Sequence, residues 1–306
     1  MLRIVFMGTA GFAVPSLDIL RENGYDIPLV VTGPDRPRGR GQEMLPTAVK
    51  KRALACSLPV TQPASPRDAS FADEIRRVAP DLAVVVAFRI LPREVFTVPR
   101  LGTINLHASL LPKYRGAAPI NRAIMGGETE TGVTTFFLDD QVDTGQMLLQ
   151  ARTPILPEDD AGALHDRLAA IGAEIVLHTL RLIEMGKAVP RPQDSSLASP
   201  APKIFKEDCR IVWNRPSAMV RNQIRGLAPS PGAFTTHNGK VIKIFRAKRV
   251  DGKSAPGSVE AGKEYLHVGT ASDCLALEEL QQEGKRRMTV KEFLRGYNIV
   301  TGETFS

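Results

Sequence analysis

The spacing of apolar and polar positions changes rhythm partway along the 306-residue chain. In the first part, short apolar runs alternate with stretches of helical spacing. Residues 2–7 form a mostly apolar run closed by Gly8. Residues 12–20 set Phe12, Leu17 and Leu20 at helical intervals, with Pro15 tolerable in a first turn. Residues 28–32 are strand-like, and residues 82–88 are apolar throughout, as suits a strand covered on both faces. Residues 101–104 lead into a strand ending at His107, and residues 133–138 and 147–155 read as two further strands. Asp160 then opens a long helix with Leu164, Leu168, Ile171, Ile175, Leu180 and Ile183 on one stripe. Such alternation predicts an α/β fold with a doubly wound, mostly parallel, Rossmann-like sheet.

Residues 190–202 are rich in proline and serine and have no periodicity, so they read as a semi-extended linker. Beyond them the rhythm is of short strands, over 232–236, 241–247, 257–259, 265–268 and 274–280. Gly239, Gly252, Gly262 and Gly269 punctuate these runs, and helices are expected over 217–225 and 289–294. That pattern predicts a small β-barrel, of OB-like type. The expected division is a catalytic domain over 1–189, a linker over 190–204 and a barrel domain over 205–306.

Charge sharpens this division. Residues 1–202 hold 22 Lys+Arg and 22 Asp+Glu, whereas residues 203–306 hold 18 and 11. The whole net charge of +7 therefore lies in the last third, which suits a polyanionic partner as well as it suits a plain solvated surface. No apolar run approaches the length of a membrane span, and the N-terminus leads into a buried strand rather than a secretory signal. Cys56, Cys209 and Cys274 are too scattered for a zinc site or a disulfide framework, and a reducing cytoplasm is expected.

The candidate chemistry lies at the end of one strand. Asn105 and His107 are two residues apart and so share a face, and a loop with two prolines and a glycine follows. An amide, an imidazole and a later carboxylate are the parts needed to pass an acyl group between amines: an oxyanion donor, a proton shuttle and an orienting charge. Asp139, Asp140 and Asp143 compete for the last role. The side chains of His107 and Ser109 would run parallel, which argues against a hydrolase pair. There is no GxGxxG or GxxxxGK[ST] fingerprint, and one histidine with one carboxylate is too little for a metal.

The stretch His107-Ala108-Ser109-Leu110-Leu111-Pro112-Lys113-Tyr114-Arg115-Gly116-Ala117-Ala118-Pro119-Ile120 closely resembles the signature of the methionyl-tRNA formyltransferase family. The opening Arg3-Ile4-Val5-Phe6-Met7-Gly8-Thr9-Ala10 is similar to that family's first strand and turn. Asp143-Thr144-Gly145 stands where the family has its catalytic aspartate, and Pro34-Asp35-Arg36-Pro37-Arg38-Gly39-Arg40-Gly41 resembles a basic loop of the tRNA-formylating branch. The resemblance implies Asn105, His107 and Asp143 as catalytic residues. It implies Ser109, Leu110, Leu111 and Pro112, with Phe88, against 10-formyltetrahydrofolate as formyl donor. Arg36, Arg38 and Arg40 would meet the phosphates of initiator methionyl-tRNA, alternating arginines on a proline-stiffened loop being suited to that contact. No metal, membrane or protein partner is implied. Gln141 and the Phe88-Arg89-Ile90 stretch depart from the family pattern. Two other readings share part of this set. A formyltransferase for an amino sugar or purine-precursor amine would not need the basic last third, and a non-catalytic RNA-binding protein would not need the triad.

Overall fold

The computed structural model describes residues 1–38 and 43–306, without the side chain of Arg38. It contains two compact units. The first consists of Met1–Gly116, Thr131–Thr153 and His165–Pro200, the second of Ala117–Glu130, Pro154–Leu164 and Ala201–Ser306.

The strands up to residue 154 are β1 (Arg3–Gly8), β2 (Asp26–Val31), β3 (Arg36–Arg38), β4 (Glu43–Leu45), β5 (Val60–Thr61), β6 (Leu82–Val86), β7 (Thr103–His107), β8 (Glu130–Phe137) and β9 (Met147–Pro154). Seven of them form one sheet in the order β5-β2-β1-β6-β7-β8-β9. β5, β2, β1, β6 and β7 are parallel and β8 runs antiparallel to β7. The most apolar strands occupy the middle of the sheet. Ile4, Val5, Phe6 and Met7 are wholly buried, as are four of the five residues of β6. A strand without polar positions is stable only where both of its faces are covered. The chain moves outward from β1 to β2 and then returns to β6 on the other side. This reversal of strand order is the place where open α/β sheets bind ligands, beyond the strand C-termini. Gly8, Val86 and His107 end their strands on that edge.

Helices α1 (Val14–Glu22), α2 (Ala48–Ala55), α3 (Ala69–Val78) and α4 (Arg93–Phe96) belong to this unit. α3 buries Phe71, Ala72 and Ile75 against Val5, Leu29 and Val85. After α5 (Pro119–Met125), the long helix α6 (Ala161–Glu184) runs as the apolar stripe predicts, with Leu164, Leu168, Ile175 and Leu180 buried. Its last residue fixes it to the sheet. Glu184 accepts from Leu2 N at 2.9 Å and from the Tyr25 hydroxyl at 3.0 Å. Burial, with the Glu184 bond adding to it, pushes the Tyr25 phenol up to about 12.

The arginine segment differs from expectation. Read as a loop, Arg36–Arg38 is instead one strand of a two-stranded ribbon, pairing Arg36 with Leu45, Pro37 with Met44 and Arg38 with Glu43. Its alternation places successive side chains on opposite faces, a period too short to distinguish from a loop in the sequence. Arg40 lies outside the described residues.

The second unit is built on β10 (Ala233–His237), β11 (Lys240–Val250), β12 (Val259–Ala261), β13 (Leu266–Gly269), β14 (Cys274–Gln282) and β15 (Met288–Thr289), with helices α7 (Ser217–Leu227) and α8 (Val290–Gly296). All its strand pairs are antiparallel, in the order β10-β11-β14-β13-β12 with β15 beside β14. The sheet curls, and residues 303–306 bond to both of its edges. Val259 N donates to Glu303 O at 2.9 Å and Phe305 N to Gly257 O at 2.9 Å. Thr236 and Ser306 exchange N–H bonds of 2.8 and 3.0 Å. These bonds cover part of each edge. Trp213, Ile224, Leu227, Ile244, Leu266 and Phe293 are among the core residues inside.

His237 is buried beside Tyr297 (hydroxyl to Nδ1 2.9 Å) and Glu303 (Oε2 to Nε2 3.3 Å). Both partners lie 60 or more residues along the chain, beyond the reach of any local pattern. His165 meets the Phe12 ring edge-on at 5.3 Å, and His178 is exposed. No helix among the described residues is long and apolar enough to cross a membrane.

Phe305 joins the segment that links the two edges to the core, with Trp213 6.0 Å and His237 5.6 Å away between ring centroids. Phe305→Ala is expected to cost about 3–5 kcal/mol, the usual range for emptying a buried aromatic site. Denaturant unfolding measures it, and a midpoint equal to that of the parent chain would contradict the role given to residues 303–306.

Candidate active site

β7 ends in Asn105-Leu106-His107, and the pleat alternation turns Asn105 and His107 to one face. In the sheet, Asn105 lies between Val85 of β6 and Phe136 of β8. Its side chain is half-buried, and among the described residues its amide has no hydrogen-bond partner. His107 is 6% exposed. Its Nε2 lies 2.8 Å from the Tyr114 carbonyl oxygen. A carbonyl only accepts, so Nε2 is the donor and the ring's tautomer is set there. Nδ1 faces Asp143 Oδ2 at 3.6 Å.

The loop after β7 owes its shape to buried polar atoms. Ser109 is completely buried and its hydroxyl donates to Lys113 O at 2.6 Å. Thr134 of β8 is a second anchor. Its Oγ1 donates to Ser109 O at 2.7 Å and accepts from Leu111 N at 3.1 Å and Gln150 Nε2 at 3.0 Å. Leu111 is buried, while Leu110 and Pro112 are half-buried. Tyr114 has φ +60°, the left-handed region that ordinary residues avoid, and this turns its carbonyl toward the imidazole.

Asp143 comes from the loop between β8 and β9. It too is left-handed, with φ +57°. Its Oδ2 accepts from Gly116 N at 2.8 Å. A Cβ at Gly145 would overlap the Phe137 carbonyl, so only glycine lets the loop turn back this closely. The two competing aspartates have other partners. Asp139 Oδ1 accepts from Thr144 Oγ1 at 2.7 Å and from Gln141 N at 3.1 Å, closing its own turn, and Asp140 pairs with Arg93 at 2.6 Å on the surface. Of the three, Asp143 is the one against His107.

Phe88 packs on the β1–β2–β6 core beneath the Arg89 guanidinium, 5.3 Å from ring centroid to Cζ. Arg89 donates to the Pro63 and Ala64 carbonyls at 2.7 and 2.8 Å, and burial, then the charge of Arg36, pushes its pKa down. Asp35 does not neutralise its neighbour Arg36. Lys50 at 2.6 Å and Gln62 at 2.8 Å take its carboxylate and hold its pKa below the usual range. Arg36 is exposed on its ribbon. No group of three or more metal-ligating side chains occurs among the described residues.

The stretch read as a linker contributes to this site. Ser199 accepts Tyr114 N on its hydroxyl at 3.0 Å and Arg115 N on its carbonyl at 2.9 Å, and the Gln193 amide reaches the Asp143 loop. A glutamine and a serine in a proline-rich stretch give no periodic signal, and their partners are 48 to 85 residues away. Together these groups offer an uncommitted amide donor, an imidazole whose two nitrogens both face acceptors, and a carboxylate for charge balance. They suit acyl transfer with proton relay and lack a positioned nucleophile.

Residues 2–180 match the family described as formyl transferase, and residues 203–298 match the formyl transferase C-terminal domain. A protein of Syntrophus aciditrophicus named methionyl-tRNA formyltransferase is 48% identical over 304 residues, covering 98% of this chain and 97% of its own. One of the same name from Moorella thermoacetica is 48% identical over 307 residues, covering 99% and 98%. Among solved structures, the N-formyltransferase of Helicobacter canadensis with folinic acid and dTDP-3-aminofucose superposes with a TM-score of 0.70 at 20% identity, over 94% of this chain and 100% of that one. HypX of Aquifex aeolicus with tetrahydrofolic acid gives 0.68 at 20%, this chain spanning about half (51%) of it. At such identities the two structures share the fold.

Thr134→Val keeps the shape of the anchor and removes its hydroxyl, which leaves Ser109 O and Leu111 N short of a partner. Each unsatisfied buried group costs about 1–3 kcal/mol, so a loss of stability of at least about 2 kcal/mol is expected. Thermal unfolding reads it, and an unchanged transition would show that water replaces the hydroxyl.

Proposed function

The chain belongs to the formyl transferase family, and we propose that it moves the formyl group of 10-formyltetrahydrofolate onto the α-amine of methionyl-initiator tRNA, for translation initiation in the cytoplasm. The observation that carries this reading is His107 lying between the Tyr114 carbonyl and the Asp143 carboxylate, with the unpartnered Asn105 amide on the same strand face.

The folate donor supplies a formyl carbon on an amine that can leave. Asn105 donates to the formyl oxygen as the substrate's neutral α-amine adds and negative charge develops there, an interaction stronger in the transition state than before it. One proton must leave the attacking amine and one must reach the departing folate nitrogen, so the net transfer is a single proton between two nitrogens. His107 relays it. In the doubly protonated ring both nitrogens are matched, Nε2 by Tyr114 O and Nδ1 by Asp143, and the carboxylate balances the charge that the ring carries mid-reaction. Ser109, Leu110, Leu111 and Pro112 with Phe88 form the folate side. Ser109 shapes that loop through Lys113 O, and Leu110 and Pro112 are the half-buried faces on it.

Residues 1–189 act in this reading as the catalytic domain, although 117–130 and 154–164 pack with the later unit. Residues 205–306 act as an OB-like barrel that binds tRNA, with 190–204 between the two. Support for the barrel comes from residues 303–306 bonding both sheet edges, and support for tRNA from the positive charge carried beyond residue 202. Arg36, Arg38 and Arg40 add phosphate contacts, Asp35 being engaged elsewhere.

His107→Ala and Asn105→Ala are each expected to lower the turnover of labelled formyl transfer to charged initiator tRNA by more than about 10²-fold with the fold retained, and to do so without exposing activity toward free amino sugars. Near-normal turnover in a folded His107→Ala chain would refute the mechanism. Arg38→Ala combined with Arg40→Ala is expected to weaken tRNA binding and flatten its salt dependence by roughly 1 to 2 log units per log unit of salt, with folate affinity unmoved. An unchanged slope with a slower reaction would remove these arginines from the phosphate backbone.

A further inference from the structure

Asp143 is useful to His107 only while its carboxylate stays where it is, and its backbone conformation does not favour that. A left-handed φ of +57° on an aspartate is strained relative to the right-handed region by about 1–2 kcal/mol and persists only where surrounding contacts impose it. One side chain holds the backbone on both sides of Thr144. Gln193 Nε2 donates to Asp143 O at 2.9 Å and to Gly145 O at 2.8 Å, so its two protons hold the carbonyls on either side of Thr144. Its Oε1 accepts from Arg115 Nε at 3.1 Å and Nη2 at 2.7 Å. The amide orientation is unambiguous, because a guanidinium only donates and a carbonyl only accepts.

Arg115 lies between the two residues that hold the catalytic pair. Tyr114 supplies the carbonyl for His107 Nε2, and Gly116 supplies the N–H for Asp143 Oδ2. The Gln193 amide thus ties the loop that sets the imidazole to the loop that sets the carboxylate. Its own backbone is held on both sides. Arg191 and Met147 exchange two 2.8 Å backbone bonds, and Ser199 takes Tyr114 N and Arg115 N. The 191–199 stretch is a strap across the site. Glutamate in place of Gln193 would keep the acceptor for Arg115 but would present oxygen to two carbonyls, and asparagine would be one methylene short.

We propose that Gln193 is a positioning residue for the formyl transfer, acting through Asp143 and the Arg115 loop to hold the His107–Asp143 pair in register. It rests on the reaction proposed above. A residue with this role affects the transition state more than substrate binding, because small misplacements of a catalytic group can cost on the order of 10²-fold in rate.

The test uses the full chain with Gln193→Ala, Gln193→Glu, Asp143→Asn and the double variant Gln193→Ala/Asp143→Asn, in formyl transfer to charged initiator tRNA. Gln193→Ala is expected to lower kcat about 10- to 100-fold, with KM for folate and for tRNA changed less than about threefold. Gln193→Glu, whose charge pairs with Arg115 and so keeps the strap attached, is expected to lose as much, and it serves if the alanine variant does not fold. In the Asp143→Asn background the alanine substitution is expected to cost close to nothing further, since both changes remove one interaction. The His107 imidazole titration, followed by ¹⁵N NMR, should move in Gln193→Ala in the same direction as in Asp143→Asn. Wild-type kcat in Gln193→Glu, an equal loss in both backgrounds, or an unmoved His107 titration would each overturn the proposal. If the wild-type chain does not formylate methionyl-tRNA, the reaction is wrong, and the NMR comparison still decides whether Gln193 sets the pair.

Discussion

An imidazole held between two acceptors is the constraint on which the rest of the site depends. His107 donates to the Tyr114 carbonyl and faces the Asp143 carboxylate. Neither acceptor arrives by regular secondary structure. Tyr114 and Asp143 both adopt left-handed backbone conformations, and both need outside contacts to stay there. Those contacts follow one after another: Thr134 anchors the loop after β7, Gly145 allows the Asp143 loop to fold under the Phe137 carbonyl, and the 191–199 strap holds the two loops from the outside. A buried network of this kind is rigid when every member is satisfied, and each of these polar atoms has a partner.

The sheet explains why the pair sits at the end of β7. Residues 4–7 of β1 and the wholly apolar β6 need both faces covered, and the two strands lie side by side where the strand order reverses. The reversal lies between β1 and β6, and the crevice beyond the C-terminal ends of such strands is where open α/β sheets admit a ligand. β8, antiparallel to β7, then returns along His107 and brings Thr134 opposite it. Hydrophobic burial thus fixes the platform, and hydrogen bonds in the loops fix the chemistry.

The second unit solves a different problem. A curled antiparallel sheet of short strands has two edges with unpaired backbone groups. Residues 303–306 bond to both, and Phe305 secures them to the Trp213 core. Residues 203–306 carry 18 Lys+Arg against 11 Asp+Glu.

The pattern of apolar residues by itself determined most elements of both units. Continuous runs, a 3.6-residue stripe in α6 and short punctuated strands after residue 230 are local properties, and burial of apolar surface acts on them wherever they occur. The pair Asn105 and His107 was legible for the same reason, because a two-residue spacing on a strand has one geometric meaning. The third group was legible only through the family resemblance, which picks Asp143. Asp139, Asp140 and Asp143 stand within five residues, and the sequence's spacing treats them alike; the fold gives Asp139 to its own turn, Asp140 to Arg93 and Asp143 to His107. The strand character of Arg36–Arg38 needed a partner strand to exist. Gln193 and Ser199 lie in the stretch read as a linker, and nothing near His237 in the sequence marks a partner for it. Their partners lie 48 to 85 residues away, and a hydrogen bond across that distance leaves no period, composition or spacing in the chain, so only the folded structure decides which polar side chains meet.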